Sequence, residues 1–202
     1  MVLIDKHFCS YGLMGASGCG KTTLLSCIVG SMTLNSGQVN VLGGTPNAEG
    51  SGVPGPRIGY MPQEIALVDE FSIKEIIYYF GRLYGMSTEN IRIRYKKLRE
   101  LLDLPPGYQL IQKCSGGQQR RVSFAVAMVH EPELLILDEP TVGLDPILRE
   151  KIWDFLITTT RTSKLAVIIT THYIQEAVQA DCVSRFILNV TIDFNILFSR
   201  WV

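Results

Sequence analysis

Residues Gly15-Ala16-Ser17-Gly18-Cys19-Gly20-Lys21-Thr22 follow the pattern G-x-x-x-x-G-K-[ST], whose chemistry is the capture of a polyphosphate. Glycines let consecutive backbone N–H groups turn toward one anion, and a helix opening after the loop adds the positive end of its dipole. Lys21 would reach the β- and γ-phosphates, and the Thr22 hydroxyl, with Thr23 beside it, would face Mg²⁺. A second group of residues completes such a site. The apolar run 134–137 ends in Asp138-Glu139, and ligands of open α/β sheets bind at the carboxyl ends of strands. Asp138 would hold Mg²⁺ through water, and Glu139 would polarise a water in line with the γ-phosphate. An Asp-Glu pair alone can simply mark a strand leaving the core. Next to an intact phosphate loop it reads as the hydrolytic half of a nucleotide site.

The intervening sequence supplies elements to position these groups. Residues 11–14 form a short apolar strand, and 21–29 a helix stopped by Gly30. Short strands follow at 39–42 and 57–61, separated by a Gly/Ser/Pro loop. Ser72 and Glu75 have capping-box spacing, and Ile73, Ile76, Ile77, Phe80 and Tyr84 keep one helical face apolar. A second helix carries Ile91, Tyr95, Leu98, Leu101 and Leu102 and stops before Pro105-Pro106. Its cations Arg92, Arg94, Lys96, Lys97 and Arg99 alternate with acids and read as a solvated outer face. Ser115 and Gln118 repeat the capping-box spacing, opening a helix that must end near Pro132. After the buried strand 134–137 come a helix with Ile152, Phe155 and Leu156 inward and another buried strand at 165–169. Alternating strands and helices imply an α/β architecture with a mainly parallel sheet.

The totals set the broad class. The chain has 202 residues, 47% apolar and 19% charged, which suits one globular domain and excludes disorder. Lysine plus arginine equals aspartate plus glutamate, 19 of each, so no global field favours nucleic acid. Five scattered cysteines without CxxC spacing argue against a disulfide framework or zinc site and fit a reducing compartment. The N-terminus does not read as a signal peptide, and no run is long enough for a membrane-spanning helix.

Ser115-Gly116-Gly117-Gln118, shortly before the acidic strand, selects among nucleotide-binding families. With these residues the chain resembles the nucleotide-binding domain of ABC transporters over residues 11–185, in texture nearest the eukaryotic G/H-type half-transporters. Cys114 to Gln118 looks like the family's signature motif, with Cys114 where leucine is usual. The resemblance implies that Ser115, Gly116, Gly117 and Gln118 face a γ-phosphate held by the opposite subunit, a second helix-terminus anion site. Gln63, within Tyr-Met-Pro-Gln, resembles the Q-loop glutamine that senses metal and γ-phosphate. Pro140 to Asp145 resembles the D-loop, whose Asp145 meets the opposite subunit. His172 resembles the switch histidine that hydrogen-bonds the γ-phosphate. His7 and His130 match no motif. The implied fold is α/β, a P-loop NTPase of the ABC-cassette type, with a mainly parallel sheet and a helical subdomain inserted at about residues 64–130. That domain would occupy residues 1–185, with an atypical apolar tail at 186–202. The implied activity is hydrolysis of ATP with Mg²⁺ by a head-to-tail pair of cassettes. Its partners would be a second cassette and a transmembrane domain, at the cytoplasmic face of a membrane.

Two departures qualify the resemblance. The family carries two further strands and an adenine-stacking aromatic ahead of the loop, whereas fourteen residues precede Gly15 here. The N-terminal strands are therefore expected to be missing and 39–42 to be left as an exposed edge. Tyr11 and Phe8 sit too near the loop to replace the aromatic. Past His172 the family makes two strands around a glycine turn, and no such glycine occurs in 186–198. These ends motivate an alternative, a truncated fragment that binds nucleotide or dimerises without hydrolysis. A soluble ABC ATPase of DNA repair or translation fits less well, because the chain has neither a long coiled coil nor a second cassette.

Overall fold

The computed structural model of the chain describes residues 2–4, 10–163, 165–177 and 179–186. Its main sheet is five parallel strands in the order β4 (Ile58–Met61), β5 (Leu134–Asp138), β6 (Ala166–Thr171), β2 (Ser10–Gly15) and β7 (Cys182–Phe186). The continuous apolar run of β5 has the cause read from sequence, coverage on both faces. Side chains alternate along a strand, so Leu135 and Leu137 enter one core and Leu134 and Ile136 the other. β6 divides in the same way, Val167 and Ile169 against Ala166 and Ile168. Register then sets chemistry, because Asp138 lies beside Thr170 at the strand ends.

Helix α1 (Lys21–Val29) covers one face with Leu25 and Ile28. The other face is covered by α4 (Gly116–Met128) and α5 (Pro146–Thr162), through Val122, Phe124, Ile152, Trp153 and Leu156. Helices α2 (Ile73–Leu83) and α3 (Thr88–Leu101) pack on α4 and share its core. Both capping boxes form. Ser72 Oγ accepts from Glu75 N while Glu75 Oε2 accepts from Ser72 N, and Ser115 and Gln118 do the same. Gly59 lets β4 approach α4 backbone to backbone, since a Cβ there would lie 2.1 Å from the Ala127 carbonyl oxygen.

Two expectations need correction, and one strand was missed. The segment 39–42 is not an unpartnered edge: β3 (Val39–Val41) pairs in parallel with β1 (Val2–Ile4), Val2 beside Val39 and Ile4 beside Val41. The first apolar residues supply the partner that the count of residues before Gly15 concealed. Arg94 is not part of the solvated face of α3. It donates to the Met128 carbonyl at 3.2 Å and pairs with Glu131 at 2.8 Å, tying α3 to the end of α4. Strand β7 went unread because it has no apolar run. It pairs with β2 along its length and is anchored by the preceding Asp181, whose carboxylate accepts from Ser10 N at 2.9 Å and Ser10 Oγ at 2.8 Å. The apolar tail read at 186–202 lies, beyond Phe186, outside the described residues. Among the described residues no helix is long and apolar enough to cross a membrane.

Candidate active site

The phosphate loop joins the end of β2 to the start of α1. Its turn places Gly18 at φ 78° and Gly20 at φ 101°, a region that side chains strongly disfavour. A Cβ at either position would meet nothing within 4 Å, so conformation rather than space demands glycine there. Lys21 is only 5% exposed, with its ammonium donating to the Gly15 carbonyl at 2.8 Å and the Ala16 carbonyl at 3.1 Å. Cys19 N donates to the Ala16 carbonyl at 3.2 Å and closes the turn. Above α1 lies a cavity of about 200 Å³, lined by loop residues 17–18 and 20–23 together with Gln63 and Glu139.

The acidic strand end meets this loop directly. Thr22 Oγ1 donates to Asp138 Oδ2 at 2.8 Å, and Thr170 Oγ1 donates to the other oxygen of this fully buried carboxylate. A hydroxyl and a carboxylate held together at the mouth of a phosphate loop are the oxygen donors a hard divalent cation takes. Tyr60 feels the same charge: burial first, then Asp138, pushes its phenol above the ordinary range. Glu139 adopts φ 53°, a left-handed conformation costly for a residue with a Cβ, by about 1–3 kcal/mol. It is held there by its N–H, which meets the Thr170 hydroxyl at 2.9 Å and the Thr170 carbonyl at 3.2 Å. Its carboxylate pairs with His172 Nε2, and His172 Nδ1 lies 3.0 Å from the Gly15 carbonyl. Both ring nitrogens thus face acceptors, and the imidazole bridges the Glu139 carboxylate and the loop backbone.

Sequence reasoning missed Arg120. This residue is 8% exposed, its guanidinium donating to the carbonyls of Gln63 at 2.7 Å, Asp138 at 3.0 Å and Glu139 at 3.1 Å. Burial pulls its pKa below the usual arginine range, and the charges of Glu139 and Asp138 pull it back. One side chain therefore joins the helix that starts at Ser115 to the backbone of Gln63 and of the acidic pair. A cation within the inward run of α4 was the available signal. Thr170 was also missed, although Thr-Thr before His172 is the cue to it.

The remaining candidates lie elsewhere. Ser115 and Gly116 are exposed at the start of α4, and the Gln118 side chain is folded back into the cap, accepting from Ser115 N at 2.9 Å. Cys114 takes the place of the usual leucine as a small core residue. Burial pushes its thiol pKa up, and it donates to the Leu110 carbonyl at 3.4 Å. Asp145 has a local role that the resemblance did not imply: it caps α5, accepting from Leu148 N at 2.9 Å. Gly117 packs close to the loop carrying Asp145, since a Cβ there would lie 3.1 Å from the Gly143 carbonyl. The structure brings Gln63, Lys21, Thr22, Asp138, Glu139 and His172 together. It leaves Ser115, Gly116, Gly117, Gln118 and Asp145 off the cavity lining, with Ser115, Gly116 and Asp145 exposed and Gly117 and Gln118 half-buried. Tyr11 is buried in the core with Leu25 and Ile136, consistent with its exclusion as an adenine partner, and Phe8 lies outside the described residues.

Comparison with known proteins agrees with this geometry. A family model described as ABC transporter matches residues 6–142. ABC transporter G family member 23 of Dictyostelium discoideum is 44% identical over 169 residues, 84% of this chain and 24% of that protein. The Nod factor export ATP-binding protein I of Rhizobium sp. (strain N33) is 37% identical over 171 residues, 83% of this chain and 55% of that protein. The chain thus spans about a quarter of the first relative and just over half of the second. A dimeric ATP-binding cassette solved in a post-hydrolysis state with ADP and Pi superposes with a TM-score of 0.81 at 26% identity, covering 91% of this chain and 83% of that one. A family match across more than half of the sequence, covering the phosphate loop, Gln63, α4 and the acidic end of β5, establishes that the chain belongs to the ABC transporter family, in its ATP-binding cassette.

Proposed function

We propose that the chain binds and hydrolyses ATP as the energy-coupling domain of an ABC transporter, in a head-to-tail pair of cassettes at the cytoplasmic face of a membrane. The observation that carries this reading is the convergence of Lys21, the Thr22–Asp138 pair and the Glu139–His172 pair around one cavity at the start of α1. The glycine turn directs N–H groups at the phosphates, and Lys21 adds a full positive charge that can leave its loop carbonyls for phosphate oxygens. Thr22 and Asp138 would hold Mg²⁺, which when bound supplies charge neutralisation to the phosphate oxygens. Glu139 takes the proton of the attacking water as its oxygen bonds to the γ-phosphorus. The β–γ bridging oxygen then leaves with its electron pair on ADP. His172 orients Glu139 and is within reach of the loop backbone.

Support for a second cassette comes from the exposed tip formed by Ser115, Gly116 and Asp145, which lies off the cavity, and from the dimeric state of the superposed relative. For a membrane-domain partner, the α2 side offers a groove bordered by Phe71, Tyr79, Leu83 and Tyr108, the last 84% exposed. The test is calorimetric titration of the folded chain with ATP, with and without Mg²⁺, alongside steady-state phosphate release with Glu139→Gln as the blank. Magnesium-dependent affinity and turnover above the blank are expected. A folded preparation with no affinity for ATP in Mg²⁺ overturns the reading.

A further inference from the structure

Glu176 is a carboxylate at 2% exposure that no step above employs. Its Oε1 accepts from Thr141 Oγ1 at 2.7 Å, and its Oε2 accepts from Thr171 Oγ1 at 2.7 Å. Thr141 is two residues beyond Glu139, and Thr171 immediately precedes His172. Each oxygen therefore holds one of the two segments whose side chains meet in the Glu139–His172 contact. The Thr171 hydroxyl also accepts from Tyr173 N at 3.0 Å, pinning the far side of the His172 turn. A third segment joins them. Arg149 Nε, from the first turn of α5, lies 3.4 Å from Glu176 Oε1, and its guanidinium sits over the Tyr173 ring at 5.1 Å. Apolar packing could fill this space without the cost of desolvating a carboxylate. What a doubly bonded carboxylate adds is a fixed geometry between two loops, each of which carries a reacting group.

We propose that Glu176 is a positioning residue. It clamps the turn bearing His172 to the loop leaving Glu139, so that imidazole and carboxylate meet, and Arg149 extends the clamp to the helix capped by Asp145. The proposal rests on the hydrolytic reading above. Glu176→Gln keeps the volume, removes the partner charge of Arg149, and turns an amide donor toward one of the threonines. It is expected to lower kcat about 10- to 100-fold with ATP affinity retained, the scale of a small misplacement of reacting groups. In a His172→Ala background the same substitution should cost nothing further. Thr171→Val should follow Glu176→Gln, and Thr171→Ser should restore turnover. An unchanged kcat, a parallel loss of affinity, or an undiminished loss in the His172→Ala background overturns the proposal. Should the wild-type chain neither bind nor turn over ATP, the hydrolytic reading fails by itself. The clamp is then judged by the His172 ring resonances in NMR spectra, which must differ between wild type and Glu176→Gln. Superimposable ring signals overturn it.

Discussion

The two glycine-flanked helix starts of this cassette are built differently. At the start of α1, the ends of β2, β5 and β6 converge; Lys21 bonds the loop carbonyls, and Thr22, Asp138, Glu139, Thr170 and His172 partner one another within the chain. At the start of α4, Ser115 and Gln118 satisfy each other, and the tip is otherwise open to solvent. The first is a charge network already arranged for phosphate chemistry. The second is a capped helix end, which on the proposed reading would become a site only against another cassette. Arg120 belongs to both, since it sits little more than one turn into α4 and grips the backbone carbonyls of Gln63 and the acidic pair. A movement of the exposed tip would therefore reach the backbone of Glu139 through the hydrogen bonds of Arg120.

That contrast can be broken in graded ways. The largest effect is expected from Glu139→Gln, which should lower kcat by about 10²–10⁴ while ATP still binds, measured by phosphate release and titration. Equal turnover in that variant would remove Glu139 from its role. Lys21→Ala should weaken ATP binding by at least about 100-fold even in a dilute monomer, because it deletes the charge-assisted contacts of the preformed region. Ser115→Ala, in the open region, should act mainly on turnover at concentrations where two cassettes meet. It should also cost about 1 kcal/mol of stability through the lost cap, read by denaturant melts. An affinity loss in dilute monomer as large as that of Lys21→Ala would erase the distinction between the two regions.

The smallest effect lies away from both. His130 stacks on Tyr84 at 3.9 Å between ring centroids, and its imidazole is held below the usual range, first by burial and then by Arg94, against the Ile58 carbonyl. The unfolded chain therefore binds the proton more readily than the folded one. Stability should fall as pH drops below about 6.5 and level off below the folded-state value. Melts of wild type and His130→Gln across that window check this, with the shallower slope expected in the variant. Equal slopes would show that His130 contributes nothing to the pH dependence.

The residues legible in the sequence were those whose role depends on near neighbours. The glycine turn before Lys21, the two capping boxes and the continuous apolar runs of β5 and β6 each follow from the pattern within one element, and each forms. Asp138 and Glu139 were readable because a strand's end is visible as the end of an apolar run. Where reading failed, partners were distant. The pairing of β1 with β3 and of β2 with β7 and the inward turn of Arg94 all rest on geometry that no local pattern carries.

By itself, the sequence determined that a phosphate-binding turn precedes a helix and that two acids close a buried strand, because backbone conformation and side-chain periodicity are local properties. Only the tertiary structure decided that His172 reaches both Glu139 and the Gly15 carbonyl, that Arg120 joins α4 to the acidic pair, and that Glu176 bonds two loops at once. Those contacts span 5 to 157 residues of chain, and only the packing of the sheet brings their ends within hydrogen-bond distance.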